Sequence, residues 1–390
     1  MLLQLFLQGF EIDRVMHMRP PPGVEEEGYI WRLKRCPYGL NDAPRAWFKR
    51  VKAELDKLSV AYSKFDEAMF YYKVDGKLSG VMVLHVDDFM YGGDHRFHKD
   101  VITKLVSIFE LRIQNCVNFK YIGLDLVQTS DCIQINQDKY IQSLEGIEVP
   151  RGRAQMKSAS LTVEEKKAVK SVCGQLLWVS NNTRPDMSYD TSTLCNLGTN
   201  GTVQDLLKVN KVIRTMKQDK VVVKYPNLGS PDRWSLSVFS DASFANLPCA
   251  SSQGGFIVFL SGSDGRVAPL SWQSKKLHRV TRSTLSSETL AVIEAVDAAM
   301  LMRLQIQELF GVTVAVNVFT DSKSLQQTVH TSKIMTDKSQ RVSVAYLRQF
   351  INKGEITLSW LDSHNQLADT LTKLGAASDQ LREVLESSRL

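Results

Sequence analysis

Two adjacent carboxylates, Asp87 and Asp88, follow the apolar run Val81-Met82-Val83-Leu84 in "VMVLHVDDFMYGG". Two further acids close strand-like stretches, Asp241 in "LSVFSDA" and Asp321 in "AVNVFTDS". A strand tip is rigid and holds a side chain to within fractions of an ångström. Unpaired buried carboxylates are costly, so strand-end acids that converge on one place call for a positive partner. Mg²⁺ or Mn²⁺ is the natural one, because hard cations prefer oxygen ligands. Two such ions can activate an attacking oxygen and stabilise a leaving one in phosphoryl transfer. A lone strand-end Asp is more often a cap or turn residue, so only an ordered combination discriminates.

These acids need elements to carry them. "YIWRLKRCPYGL" reads as a strand entering a turn, after the breaker-rich loop "PPPGVEEEG". "NDAPRAWFKRVKAELDKL" begins a helix with Asp42 at its N-cap and Pro44 in its first turn; Trp47, Val51, Leu55 and Leu58 mark its core face. "AMFYYKV" and "GVMVLHVDDFMYGG" read as a hairpin turning at Asp75-Gly76. A helix over 95–110 follows, then the strands "FKYIGLDLVQT" and "DCIQINQ" and the helix "DKYIQSL". The polar stretch around 150–160 reads as a linker, followed by the helices "EEKKAVKSVCGQLLWVSNN" and "TVQDLLKVNKVIRTMKQDK". "NLGSPDR", 227–233, is the clearest boundary. Beyond it the order β, β, α, β, α, β, α predicts a mixed sheet with helices on its faces, "NQLADTLTKL" forming the last helix.

Composition narrows the classes. A length of 390 residues allows two or three domains. With 43% hydrophobic and 23% charged residues, the chain is ordinary globular material. Its 48 Lys+Arg against 42 Asp+Glu leave a mild excess of +6, which suits a polyanion partner without establishing one. Six cysteines show neither a CxxC pair nor metal-ligand spacing and predict reduced thiols in a cytoplasmic or nuclear compartment. No apolar run approaches membrane-spanning length and the N-terminus does not read as a secretory signal, so an intracellular chain with no membrane partner is expected.

"CPYGLNDAPRAWF", "LHVDDFMYGGD", "YIGLDL" and "NNTRPDMSY", in this order, resemble the reverse transcriptase of copia-type LTR retrotransposons. "FSDASFANLPCASSQGGFIVFL", "LSWQSKKLHRVTRSTLSSETLAVIEA", "VFTDSKSL" and "NQLADTLTK" resemble the ribonuclease H domain fused behind it. The resemblance implies an α+β / α/β chain: a truncated palm over 1–150 without fingers, thumb and connection over 151–232, a ribonuclease H-like mixed-sheet domain over 233–376 and a tail over 377–390. It implies that Asp87 and Asp88 belong to the palm motif that binds two metals at the primer terminus. Gly39, Pro44, Arg45 and Phe48 lie in the segment that packs against template and nucleotide, and "YIGLDL", centred on Gly123, resembles the primer-gripping hairpin. Asp241, Glu288, Asp321 and Asp369 match the four ribonuclease H carboxylates, which hold two Mg²⁺ or Mn²⁺ ions. From the residues alone, Glu288 reads equally as a charge complementing a helix N-terminus, and Asp369 as a solvated helix acid.

The chain also departs from the family pattern. "LFLQG" matches the end of the motif that carries the palm's first Asp, which sets that Asp at Met1. His85 replaces the Tyr of the double-Asp motif. Ser359 stands at the spacing where many cellular ribonucleases H carry a His, and His364 is off-register. Phosphate contacts are expected from Lys275, Lys276, Arg279 and Arg282, just before Glu288. Ser243 and Asn246 are candidates for reading the 2′-hydroxyl of RNA. The expected partners are an RNA–DNA hybrid, a primer–template and other parts of a Pol polyprotein. The expected activity is hydrolysis of RNA in hybrids, with RNA-directed DNA synthesis weak or absent for want of the first palm Asp. The alternative is a catalytically dead remnant that at most binds nucleic acid.

Overall fold

The computed structural model describes residues 7–24, 28–37, 39–114, 116–197, 200–331, 337–376 and 378–390. The chain divides into two compact units, 1–115 with 308–310, and 116–307 with 311–390. Among the described residues the strands form four sheets, and no helix is long and apolar enough to cross a membrane.

In the first unit β1 (Glu11–Met18) pairs antiparallel with β2 (Trp31–Arg35). Helix α1 (Ala43–Lys57) takes Pro44 in its first turn, where a missing N–H is tolerated, and buries Trp47, Val51 and Leu55. Asp42 stands at its N-cap as expected, but its side chain makes no capping bond and pairs with Arg14 at 2.6 Å instead. An antiparallel meander follows: β3 (Ala61–Tyr62), β4 (Met69–Val74), β5 (Lys77–His85) and β6 (Asp88–Gly93). The expected turn at Asp75-Gly76 is present, with both residues at positive φ as short hairpins favour. "GVMVLHVDDFMYGG" is two strands rather than one, because the chain reverses at Val86-Asp87 with His85 opposite Asp88. Val86 holds that reversal at φ 57°, a left-handed conformation that β-branched residues avoid. Trp47, Phe70, Phe97 and Phe109 fill the core of this unit. Phe97 lies so close to β5 that a Cβ on Gly80 would meet its ring at 2.1 Å, so only glycine fits there.

In the second unit β7 (Asn118–Tyr121) and β8 (Leu124–Gln128) form a hairpin turning at Ile122-Gly123. β9 (Cys132–Asn136) and β10 (Val223–Pro226) complete a sheet of order β10-β9-β8-β7. α2 (Val163–Asn182) opens with a capping box between Thr162 and Glu165. With α3 (Ser188–Cys195) and α4 (Val203–Gln218) it packs around Leu176, Val179, Leu206 and Val209. The stretch expected as a linker contains a short helix, Arg151–Gln155, which Arg153 ties to Glu165.

The largest sheet has the order β13-β12-β11-β14-β15. β11 (Ser235–Leu247), β12 (Ser251–Ser261) and β13 (Val267–Lys276) are antiparallel; β14 (Ala315–Thr320) and β15 (Thr357–Trp360) continue parallel from β11. The helices are α5 (Thr284–Phe310), α6 (Lys323–His330) and α7 (Lys338–Asn352). β13 and α7 are additions to the expected element order. Val238, Val258, Val316 and Val318 of the sheet meet Val292, Ala295, Val296 and Ala299 of α5, small residues that let the helix lie close. Phe239, Ile257 and Phe259 face the other way, onto Leu367, Leu371 and α8 (Asp379–Ser387). The segment expected as the last helix is instead a pair of 3₁₀ turns, Ser363–Asn365 and Leu367–Leu371. Residues read as tail form α8, whose Leu381 and Leu385 are fully buried. The fold class is the expected one, an α+β chain: an antiparallel meander in the first unit, and a helical region followed in the sequence by a five-stranded mixed sheet in the second.

Candidate metal centre

β11 and β14 are parallel neighbours with Phe239 opposite Phe319, which brings Asp241, midway along β11 rather than at the strand end expected from the sequence, beside Asp321, just past the end of β14. Glu288 reaches the same place from the first turns of α5, whose N-terminus is fixed by Ser283 accepting from the Ser286 amide. The three carboxylates lie within 4.8 Å of one another. Asp241 is 1% and Glu288 4% exposed, and Asp321 is half-buried. Oε2 of Glu288 is buried without a hydrogen-bond partner. A buried anionic oxygen left unpaired beside two further acids is a costly arrangement unless a cation answers it.

Asp369 stands outside that triad but is joined to it through a lysine. Nζ of Lys373 lies 2.7 Å from Oδ1 of Asp369 and 3.4 Å from Oδ1 of Asp241. Thr372 donates its hydroxyl to the other oxygen of Asp241. Ser363 donates to Oδ2 of Asp321 at 2.7 Å, and the Trp360 indole donates to the Asp321 carbonyl at 3.0 Å. Sequence reasoning missed Lys373, Thr372 and Ser363. The available signal was the four-residue step from Asp369 to Lys373, a spacing at which helical side chains meet.

The electrostatics follow from burial and crowding. Burial pushes the Asp241 carboxyl up to about 6 against the pull of Lys373, with Asp369 and Asp321 adding to the rise. Burial, then the charges of Asp241 and Asp321, hold Glu288 well above the usual carboxylate range. Asp369 is raised as well, chiefly by burial. Burial works against the Lys373 ammonium, but the carboxylates of Asp241 and Asp369 outweigh it and raise its pKa. The donor set is all oxygen and strongly anionic, as a hard divalent cation requires.

Residues 3–149 match the family model of the reverse transcriptase (RNA-dependent DNA polymerase). Over 94% of its length the chain is 24% identical to the retrovirus-related Pol polyprotein from transposon RE1 of Arabidopsis thaliana. Over most of its length the chain is similar to retrotransposon Pol polyproteins. It spans 26% of that Arabidopsis relative. It is also similar to the putative transposon Ty5-1 protein of Saccharomyces cerevisiae, at 25% identity over 69% of this chain and 90% of the yeast protein. Among solved structures, the foamy viral protease-reverse transcriptase in complex with RNA/DNA hybrid aligns with a TM-score of 0.48 and 14% identity, covering 91% of this chain and 42% of that one.

Asp87 and Asp88 sit at the β5–β6 hairpin tip, Asp87 half-buried and Asp88 exposed. Burial, then the neighbouring Asp88 charge, raises Asp87. Among the described residues no third metal-ligating side chain joins them. Met1, where the resemblance sets another Asp, lies outside the described residues. Gly39, Pro44 and Arg45 are exposed around the start of α1, and Phe48 is half-buried against Phe70. Gly123 forms the β7–β8 turn near the Trp178 ring.

The basic candidates divide. Lys275 and Lys276 are the last residues of β13, Lys275 paired with Glu294 and Lys276 exposed, whereas Arg279 and Arg282 are exposed on the following loop, pinned by the Ser252–Thr281 hydroxyl contact of 2.7 Å. Ser243 is half-buried on β11. Ser359 lies on β15 opposite Phe319, and His364 is exposed in the turn next to Ser363.

Proposed function

We propose that this chain hydrolyses RNA in RNA–DNA hybrids at a site built from Asp241, Glu288, Asp321 and Asp369. The observation that carries this reading is the buried carboxylate of Glu288, which has an oxygen within 4.8 Å of those of Asp241 and Asp321 and leaves its Oε2 without a hydrogen-bond partner. Asp241, Glu288 and Asp321 would hold Mg²⁺ or Mn²⁺, with Asp369 beside them. Bound divalent ions supply an activated water and stabilise the departing oxygen of the phosphodiester.

The chain's own part is positional and electrostatic. Strand-borne Asp241 and helix-borne Glu288 are locked by their burial, while half-buried Asp321 is the acid open to substrate. Lys373 offsets part of the negative charge, which a phosphate backbone approaching the site would otherwise meet. Lys276, Arg279 and Arg282, with Lys275, are assigned to phosphate contacts and Ser243 to the 2′-hydroxyl side. Asp87 and Asp88 are assigned to metal binding at a primer terminus, with Gly39, Pro44, Arg45, Phe48 and Gly123 lining a primer–template. DNA synthesis by this chain is the lesser activity in this reading. Other parts of a Pol polyprotein are its proposed partners.

The test is cleavage of a labelled RNA–DNA hybrid by the purified chain with Mg²⁺. Asp321→Asn is expected to lower the rate by at least about 10²-fold. Cleavage surviving that substitution overturns the site assignment. Salt-dependent hybrid binding without cleavage by the unmutated chain supports the non-catalytic reading instead.

A further inference from the structure

Asn246 lies five residues beyond Asp241, inside the irregularity between Ser243 and Leu247 in the pairing of β11 with β12. Its place in the sequence suggests a reader of the 2′-hydroxyl, but its amide is committed within the protein. Nδ2 donates to the Tyr189 hydroxyl at 3.3 Å and to the Thr372 carbonyl at 3.2 Å, and Oδ1 accepts from the Gln253 amide at 3.2 Å. Both amide hydrogens and one oxygen lone pair are therefore used. The preceding residue, Ala245, has φ 50°, a conformation that an L side chain keeps only where its surroundings hold it.

The three partners come from separate parts of the chain: Tyr189 from α3, Gln253 from β12, and Thr372 from the end of the turn that carries Asp369. Thr372 in turn donates to Asp241, and Lys373 spans Asp241 and Asp369. The same segment is seated from below. Ser274 donates to the Leu371 carbonyl at 2.6 Å, and a Cβ on Gly255 would meet Cβ of Leu371 at 2.6 Å.

We propose that Asn246 is a positioning residue for the carboxylate site. By holding the Thr372 carbonyl it sets the Thr372 hydroxyl against Asp241, and through Tyr189 it ties that geometry to α3. This inference rests on the metal-site reading above.

Its test combines Mn²⁺ titration followed by electron paramagnetic resonance with hybrid-cleavage kinetics, on the full chain and on Asn246→Ala, Asn246→Asp and Tyr189→Phe. Asn246→Asp keeps the acceptor for Gln253 but turns a carboxylate toward the Thr372 carbonyl. Both Asn246 variants are expected to weaken Mn²⁺ binding roughly 10-fold, and to lower kcat by a similar factor with KM for the hybrid within about twofold. Tyr189→Phe, which leaves the Thr372 contact in place, is expected to weaken Mn²⁺ binding about twofold. Unchanged Mn²⁺ affinity in folded Asn246→Asp overturns the proposal, as does a rise in KM that accounts for the whole loss of activity. Mn²⁺ binding without hybrid cleavage by the unmutated chain removes only the hydrolase reading, and the variant titrations still decide the role of Asn246. No Mn²⁺ binding at all removes both.

Discussion

Lys373 holds its ammonium 2.7 Å from Oδ1 of Asp369, four residues earlier in the chain, and reaches Asp241 from the same position. The lysine thus shares its charge with the acids that a divalent ion would bind. Lys373→Met is expected to tighten Mg²⁺ binding by about three- to tenfold, because the competing cation is gone. Isothermal titration calorimetry measures this directly, and weaker Mg²⁺ binding in the variant would contradict the account.

Glu288 carries the opposite trade. Its buried, unpartnered oxygen makes the metal-free protein less stable than a neutral isostere would. Glu288→Gln is expected to raise metal-free stability by about 1–3 kcal/mol and to abolish the increase in Tm on adding Mg²⁺. A variant that melts lower without metal, or that keeps its Mg²⁺ response, would refute this.

A second buried charge set has a structural role. Arg184 makes two bonds to Asp186, at 2.9 and 2.7 Å, and donates to the carbonyls of Met216 and Asp219 near the end of α4. Arg382 of α8 reaches Asp186 at 2.9 Å and Asp219 at 3.3 Å. Arg184→Met is expected to destabilise by about 3–5 kcal/mol, since it strips the closer partner from a buried carboxylate. Arg382→Met leaves the Arg184 pair intact, and about 1–2 kcal/mol is expected. Urea unfolding midpoints decide the ranking, and the reverse order would rule the explanation out.

Glu165 gives a pH dependence with a definite sign. Two bonds from Arg153 and one from the Thr162 amide hold its carboxyl at about 2, below the ordinary 4.5. A carboxylate lowered on folding contributes stability above its unfolded pKa and loses that contribution as pH falls toward its folded one. The stability gap between the natural chain and Glu165→Gln should therefore be constant above about pH 5 and shrink between roughly pH 4.5 and 2. Melting curves at pH 7, 4 and 3 test it; a gap that widens on acidification would be the wrong sign.

Elements with a local signature were legible. Asp75-Gly76 announces its turn because both residues tolerate positive φ, and Trp47, Val51 and Leu55 announce α1 by their spacing. The Val86-Asp87 reversal was hidden, since no turn former stands there and Val86 resists the conformation it adopts. β13 was obscured by Pro269 and a polar second half, and it joins β12 across a bulge at Val258/Phe259. Asp321 is recognisable as a strand-end acid, whereas Asp241, read as one, lies midway along β11, which runs on to Leu247. Their meeting with Glu288 depends on the parallel β11–β14 register and on α5, long-range facts that no local pattern carries. Asp369 sits on a 3₁₀ turn, with Lys373 just past its end, in a stretch whose residues read equally well as an ordinary helix.

The packing of α8 bears on how this protein comes off the ribosome. Leu381, Val384 and Leu385 share a core with Phe239, Phe259 and Leu371. The sheet that presents Asp241 therefore keeps one greasy wall open until residue 385 has been synthesised and has cleared the exit tunnel. Nascent chains stalled before that point should engage holding chaperones, and a fragment cut after residue 376 should be prone to clumping.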